Sequence, residues 1–134
     1  MKLRSSISAL LILLVSFIAT AQVKPPDTRA GKRLAELIAT VATDDEAVHK
    51  AFVEKSMSKE FREKHPLEQH LNILNQMHDN EGSFEIEKIE KTSDYEVVAV
   101  LKGKAGGSVR VTIKTETEAP YGINGMGLQP MQRQ

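Results

Sequence analysis

The apolar residues of this chain change their spacing once, from a helical period to a strand period. In the first half they recur every three or four residues, which is typical of helices with one buried face. Asp27 or Thr28 is placed to cap the N-terminus of the first helix, because either side chain accepts from free N–H groups. The apolar face of this helix consists of Ala30, Leu34, Leu37, Ile38 and Val41.

Three further signals predict helical structure before residue 83. Thr43 and Glu46 have the spacing of a capping box, so a second helix is expected to begin there. Ser58 begins a short helical turn that carries Phe61. Pro66 suits a first helical position, and Gly82 suits the left-handed stop of that last helix. The expected core residues are Val48, Ala51 and Phe52 in the second helix, and Leu67, Leu71, Leu74 and Met77 in the last one.

After Gly82 the apolar residues alternate with polar ones, which predicts strands. Ile89 breaks the alternation and indicates a bulge. Residues 103–107 (GKAGG) are expected to form a flexible hairpin loop, and the chain from Gln129 is expected to be a loose tail. The inward face is predicted at Phe84, Ile86, Tyr95, Val97, Ala99, Leu101, Val109, Val111 and Ile113, followed by Ile123, Met126 and Leu128 in a last strand.

Helices first and antiparallel strands afterwards predict an α+β fold. We expect three N-terminal helices on one face of a curved antiparallel sheet of about four strands. The expected divisions are a signal peptide (1–21), an extended lead (22–27), one domain (28–130) and a tail (131–134).

The N-terminus has the three parts of an export signal. Lys2 and Arg4 precede the apolar run 9–19, and Ala19-Thr20-Ala21 has the small residues of a cleavage site. The run is shorter than the roughly 20 residues of a membrane span. Because the chain contains no Cys, it forms no disulfide and has no lipoprotein anchor. The sequence therefore predicts a secreted or periplasmic protein that begins at Gln22.

The charge balance argues against a nucleic-acid partner. Removing Lys2 and Arg4 from the 18 basic residues leaves 16, against 18 acidic residues. Domains that bind nucleic acid usually carry a basic excess, and their single-strand platforms use aromatic side chains, of which this chain has few.

Several segments together are similar to known families. The helices followed by a strand meander resemble the cone-shaped nuclear transport factor 2-like and ketosteroid isomerase-like domains, which are also described as cystatin-like. More specifically, residues 28–34 (TRAGKRL), the region 52–61, the helix start at 66–68 and the ending 120–130 (PYGINGMGLQP) resemble the domain that precedes some secreted bacterial serine hydrolases and S41-type peptidases. In those proteins the catalytic machinery lies in the following domain, so the resemblance implies no hydrolase residue here.

No set of residues indicates catalysis, a metal or a cofactor. The four histidines, His49, His65, His70 and His78, lack the spacing of a paired metal site and are expected at the surface or as caps. Ser56 and Lys59 match a Ser-x-x-Lys motif in spacing alone. His78, Asp79 and Glu81 are interpreted as a polar helix end.

The sheet supplies two candidate surfaces. Its inner face is the candidate pocket for a small apolar ligand, with Phe84, Ile86, Tyr95, Val97, Leu101, Val111 and Ile113 as its residues. Val98 and Val100 lie on the opposite face of the second strand and are candidates for an interface with a second copy or with a hydrolase domain. The same valines have a second interpretation, because β-branched residues favour strands wherever they lie.

Three hypotheses about function follow. The first is an exported non-catalytic binding or interaction module. The second is the detached or truncated N-terminal domain of a secreted hydrolase, which would continue beyond Gln134. The third is isomerase or cyclase chemistry in the apolar cone, which requires a positioned base that the inner face does not supply.

Overall fold

A computed structural model describes residues 22–132 of the chain, so the predicted signal peptide lies outside the described residues. Within them, four helices precede four strands and no helix follows. The elements are α1 (Arg29–Val41), α2 (Glu46–Ser56), α3 (Lys59–Glu63), α4 (Leu67–Glu81), β1 (Phe84–Thr92), β2 (Glu96–Gly103), β3 (Ser108–Thr115) and β4 (Ile123–Met131). The α+β class is confirmed. The described segment has one helix more than expected, because the turn after Ser58 forms a separate short helix.

Helix α1 begins and packs as its pattern predicts. The Thr28 side chain caps it by accepting from the Gly31 amide at 2.9 Å. The predicted face is buried, with Ile38 at its margin.

Helix α2 departs from the prediction in its cap and in its buried face. Asp45 is the N-cap and accepts from the Ala47 amide, whereas Thr43, the predicted cap, lies two residues earlier and accepts from the Asp45 amide. The buried face is therefore rotated by one residue and includes His49, Phe52 and Val53, while Val48 is 38% exposed. The prediction is confirmed for Phe52 and wrong for Val48, because it did not place His49 in the core.

The four strands form one antiparallel sheet in chain order, β1-β2-β3-β4. Register shifts interrupt β1 between Ile86 and Lys88 and between Ile89 and Lys91, which confirms the predicted bulge. The predicted loose tail is wrong at its start, because Gln129 and Pro130 belong to β4, where they pair with Arg110 and Val109 of β3.

The core lies between α1 and the inner face of the sheet. Helix α1 packs on β1, β2 and β3, while α4 packs against α1 and α2. At the end of α4, Gly82 has φ +79, as expected of a glycine stop. The fully buried side chains at the centre are Leu34, Leu37, Val97, Leu101, Val111 and Ile113.

The loop between β2 and β3 is held by hydrogen bonds against the end of α4. The amide of Lys104 donates to the Ser83 carbonyl at 2.9 Å, and the amide of Gly107 donates to the Glu81 carboxylate at 3.2 Å. The predicted hairpin is confirmed, and its loop is bonded to the end of α4, a contact that the expectation of a flexible loop did not include. None of the helices within residues 22–132 has the length and apolar character needed to cross a membrane.

Candidate functional site

An open cleft lies between α4 and β4, where the helices leave the edge of the sheet uncovered. Helix α4 packs mainly on α1 and α2, and the short helix α3 packs against β4. One part of the cleft encloses about 190 Å³. Its apolar lining consists of Met57, Phe61, Ile73, Leu74, Met126 and Leu128, and its polar lining consists of His65, Gln69 and His70.

A second cavity of about 220 Å³ continues the cleft along α4. The two cavities share Ile73 and Leu128, so they form one groove that follows the inner side of β4. Met77, Phe84 and Val109 add apolar surface, and Glu81 is the carboxylate at this end. We refer to both cavities together as the α4–β4 cleft.

Most residues predicted for the ligand pocket lie in the packed core instead of the cleft. Val97, Leu101, Val111 and Ile113 have no exposed surface, because α1 covers them. Phe84 lines the second part of the cleft, and Phe84 and Ile86 line a separate crevice beside the lead and α1.

Tyr95 does not lie with the other predicted pocket residues. It precedes β2 in a turn and is 38% exposed. Its carbonyl accepts from the Thr115 amide at 3.0 Å, so its backbone still joins the end of the sheet. The alternation of apolar and polar residues continues one residue outside β2, because a turn residue can keep the spacing of a strand without being buried as a strand residue is.

The predicted outer-face interface is largely covered by the chain itself. Val100 is only 6% exposed, in contrast to the expected open position. Arg110, which is paired with Val100 in the register, extends over β2 to Glu90 at 2.8 Å and also contacts Gln129 at 3.4 Å. Val98 remains half-buried.

The four histidines do not form one site: His65 and His70 line the cleft, and three of the four bind backbone carbonyls. The distances are 2.7 Å from His49 Nε2 to Thr43 O, 3.2 Å from His70 Nε2 to Arg62 O, and 2.8 Å from His78 Nδ1 to Val41 O. The capping role is thus confirmed for His70 and His78, whose carbonyl partners lie in the last turns of α3 and α1, whereas the partner of His49 lies in the loop before α2. The surface position is wrong for His49 and His70, which are buried.

Other candidate pairs are kept apart. Ser56 donates to Glu36 at 2.6 Å, whereas Lys59 extends to Glu63, so the Ser-x-x-Lys spacing brings no nucleophile and base together. His78 and Glu81 have the separate partners named above. Among residues 22–132, no three His, Asp or Glu side chains are grouped as a metal site.

Sequence reasoning missed one polar network, centred on Arg33. Its guanidinium donates to the carbonyls of Pro120 at 2.7 Å and Tyr121 at 3.1 Å, and it forms an ion pair with Glu36 at 2.9 Å. Arg29 lies 4.0 Å above the Tyr121 ring. These contacts fix the segment before β4 to α1, and therefore fix the position of the cleft wall that β4 supplies. The sequence signal for this network is Arg33 itself, an arginine at the margin of the buried face of α1.

A comparison with protein-family models finds a match over residues 25–119, which is more than half of the chain. The matching model is described as "ORF 12 gene product N-terminal". The chain belongs to this family. Searches of curated proteins and of solved structures each find no match.

The match to the ORF 12 N-terminal family includes all four helices and β1–β3, but it stops before β4. The helical wall of the α4–β4 cleft thus lies inside the matched segment. Met126 and Leu128, on the opposite wall, lie outside it.

Proposed function

We propose that this ORF 12 N-terminal domain is an exported non-catalytic binding module of the nuclear transport factor 2-like type, and that the α4–β4 cleft is its binding site. The observation that carries the proposal is the cleft itself, an open groove with apolar walls beside a filled core. Ligand sites are typically concave and apolar with a few polar groups. The meander under a layer of helices supports the fold type.

The lining suggests the class of ligand. Six apolar side chains form most of the first part of the cleft, while His65, Gln69 and His70 supply the polar groups. His70 Nε2 is already bonded to Arg62 O. We therefore expect a small apolar molecule with one polar end, oriented toward the histidines.

Replacing Ile73 by Gln tests the site. Ile73 lines both parts of the cleft and is 39% exposed, so the change should remove ligand contact with little effect on folding. Losing about 1 kcal/mol of apolar contact corresponds to a roughly fivefold weaker Kd. The measurement is fluorescence titration of the purified chain with the apolar dye anilinonaphthalene sulfonate.

Val48→Gln is the matched control. Val48 is 38% exposed and lies on α2, outside the cleft lining. Equal dye affinity for both variants and for the unchanged chain would contradict the proposed site. Turnover of a substrate that a single cleft substitution abolishes would contradict the non-catalytic role.

A second candidate is the front domain of a secreted serine hydrolase or peptidase. The family description favours it, because it names the domain as the N-terminal part of a gene product. In this reading the partner is a hydrolase domain, which would dock on the outer sheet face beside Val98. The test is to sequence the DNA that follows codon 134. A hydrolase in frame or in the adjacent gene supports this candidate, and unrelated genes contradict it.

A further inference from the structure

The two edges of the sheet differ in how they are protected. Free edge strands expose unpaired N–H and C=O groups, and proteins usually block them with charges, bulges or proline. Strand β1 has two register shifts, and its charged residues include Glu85, Glu87 and Lys88. By these criteria the β1 edge is closed to a further strand.

Strand β4 has little of this protection. Residues 123–131 (INGMGLQPM) carry no charge, and their register with β3 is unbroken from Gly125 to Met131. Pro130 blocks only the far end. At the near end, Ile123 accepts from the Ser58 amide at 2.9 Å. Within the described part of the chain, the backbone bonds of residues 124–129 are those with β3.

Gly127 on β4 has no local explanation, whereas Gly125 lies at the register shift between Lys114 and Thr115, where a glycine is common. Gly125 and Gly127 pair with Lys114 and Thr112 on the outer face. A Cβ at Gly127 would lie 3.6 Å from the Thr112 Cβ, which is an ordinary contact, and neither glycine has a positive φ. Glycine inside a strand weakens it, and it often marks the close approach of another backbone.

We propose that β4 pairs antiparallel with β4 of a second copy, so that one continuous sheet crosses both molecules. Pairing centred on Gly127 sets Met126 of one copy opposite Leu128 of the other, both on the inner side. The pairing strands themselves carry no charge, and neither do the neighbouring α4 residues Gln69, Ile73 and Gln76. A two-fold axis would otherwise bring like charges together, which destabilises strand pairs.

This interface differs from the one predicted at Val98 and Val100, and it does not depend on a ligand in the cleft. It joins the clefts of the two copies side by side. Failure of dye binding would therefore leave it standing, and failure of dimerisation would leave the cleft site standing.

The test is the oligomeric state of the purified chain, measured by sedimentation equilibrium over a wide range of concentration. We expect a dimer. Gly127→Lys should raise the dimer dissociation constant at least about tenfold, because two lysines would face each other across the axis. Thr112→Lys is the matched control: it adds the same charge to the same face one strand further in, and should leave the dimer intact.

Charge exchange keeps the test valid if one variant is poorly folded. Gly127→Asp should weaken the dimer in the same way, and mixing it with Gly127→Lys should restore a dimer that contains one copy of each. Circular dichroism checks that both variants are folded. A monomeric unchanged chain, a dimer that survives Gly127→Lys, or a mixture that stays monomeric would each overturn the proposal.

Discussion

Two histidine side chains on α4 connect separate helices through backbone carbonyls, His70 to α3 and His78 to α1. The last carbonyls of a helix lack partners within it, and a carbonyl can only accept a hydrogen bond. His78 Nδ1 must therefore carry a proton where it meets Val41 O, at the end of α1. One side chain on α4 thus satisfies a group 37 residues earlier in the chain.

Replacing His78 by Phe should destabilise the domain by about 1–2 kcal/mol, because it keeps the ring but leaves the Val41 carbonyl unpaired. Guanidinium unfolding measures the loss. His65→Phe is the control, since His65 is exposed and its change should cost less than about 0.5 kcal/mol. Similar losses in the two variants would show that the His78 hydrogen bond contributes little.

At the scale of elements, the β2–β3 hairpin and the end of α4 are fixed to each other. Glu81 accepts from the Gly107 amide, and its side chain occupies the space next to Gly103 that a Cβ would need. Because Gly103 and Gly107 have no Cβ, the loop leaves space for the carboxylate of Glu81.

Glu81→Ala should release this hairpin. We expect a loss of about 1 kcal/mol in the free energy of unfolding, since one hydrogen bond to a charged and partly exposed group is removed. Hydrogen exchange of the Gly107 amide should become faster. Glu87→Ala, an exposed carboxylate removed from β1, should change neither quantity. Unchanged exchange at Gly107 in the Glu81 variant would contradict the role of this contact.

The elements with a strong apolar period could be predicted from the sequence. The face of α1 and the inward residues of β2 and β3 follow directly from their spacing. The buried face of α2 could not be predicted, because the sequence does not distinguish a buried histidine bonded to a backbone carbonyl from an exposed one. The docking of the hairpin was also hidden, since it depends on Glu81 from another element.

At the scale of the whole molecule, the inner face of the sheet was predictable and the cleft was not. Burial of Val97 and Leu101 is a property of each strand. The cleft exists because α4 packs on α1 and α2 and leaves β4 to the short α3. Helix packing determines this arrangement, and the apolar spacing within a single element does not reveal how the helices pack on one another.

Export is predicted for the full chain. Expression with its own N-terminus in a bacterium should yield a protein outside the cytoplasm whose first residue is Gln22. Mass spectrometry of the purified protein identifies that residue. Replacing Ala19 and Ala21 by large residues should block cleavage and leave the longer chain. An unchanged chain recovered from the cytoplasm would contradict the prediction.

The order of the strands also bears on how the chain folds. Each strand pairs with its neighbour in sequence, so every step of sheet assembly closes only a short loop. The contacts of Arg33 with Pro120 and Tyr121 span 87 and 88 residues. Because distant contacts form slowly, we expect the meander to be assembled before α1 binds the segment that precedes β4. The segment that precedes β4 would then be the last part of the domain to reach its place.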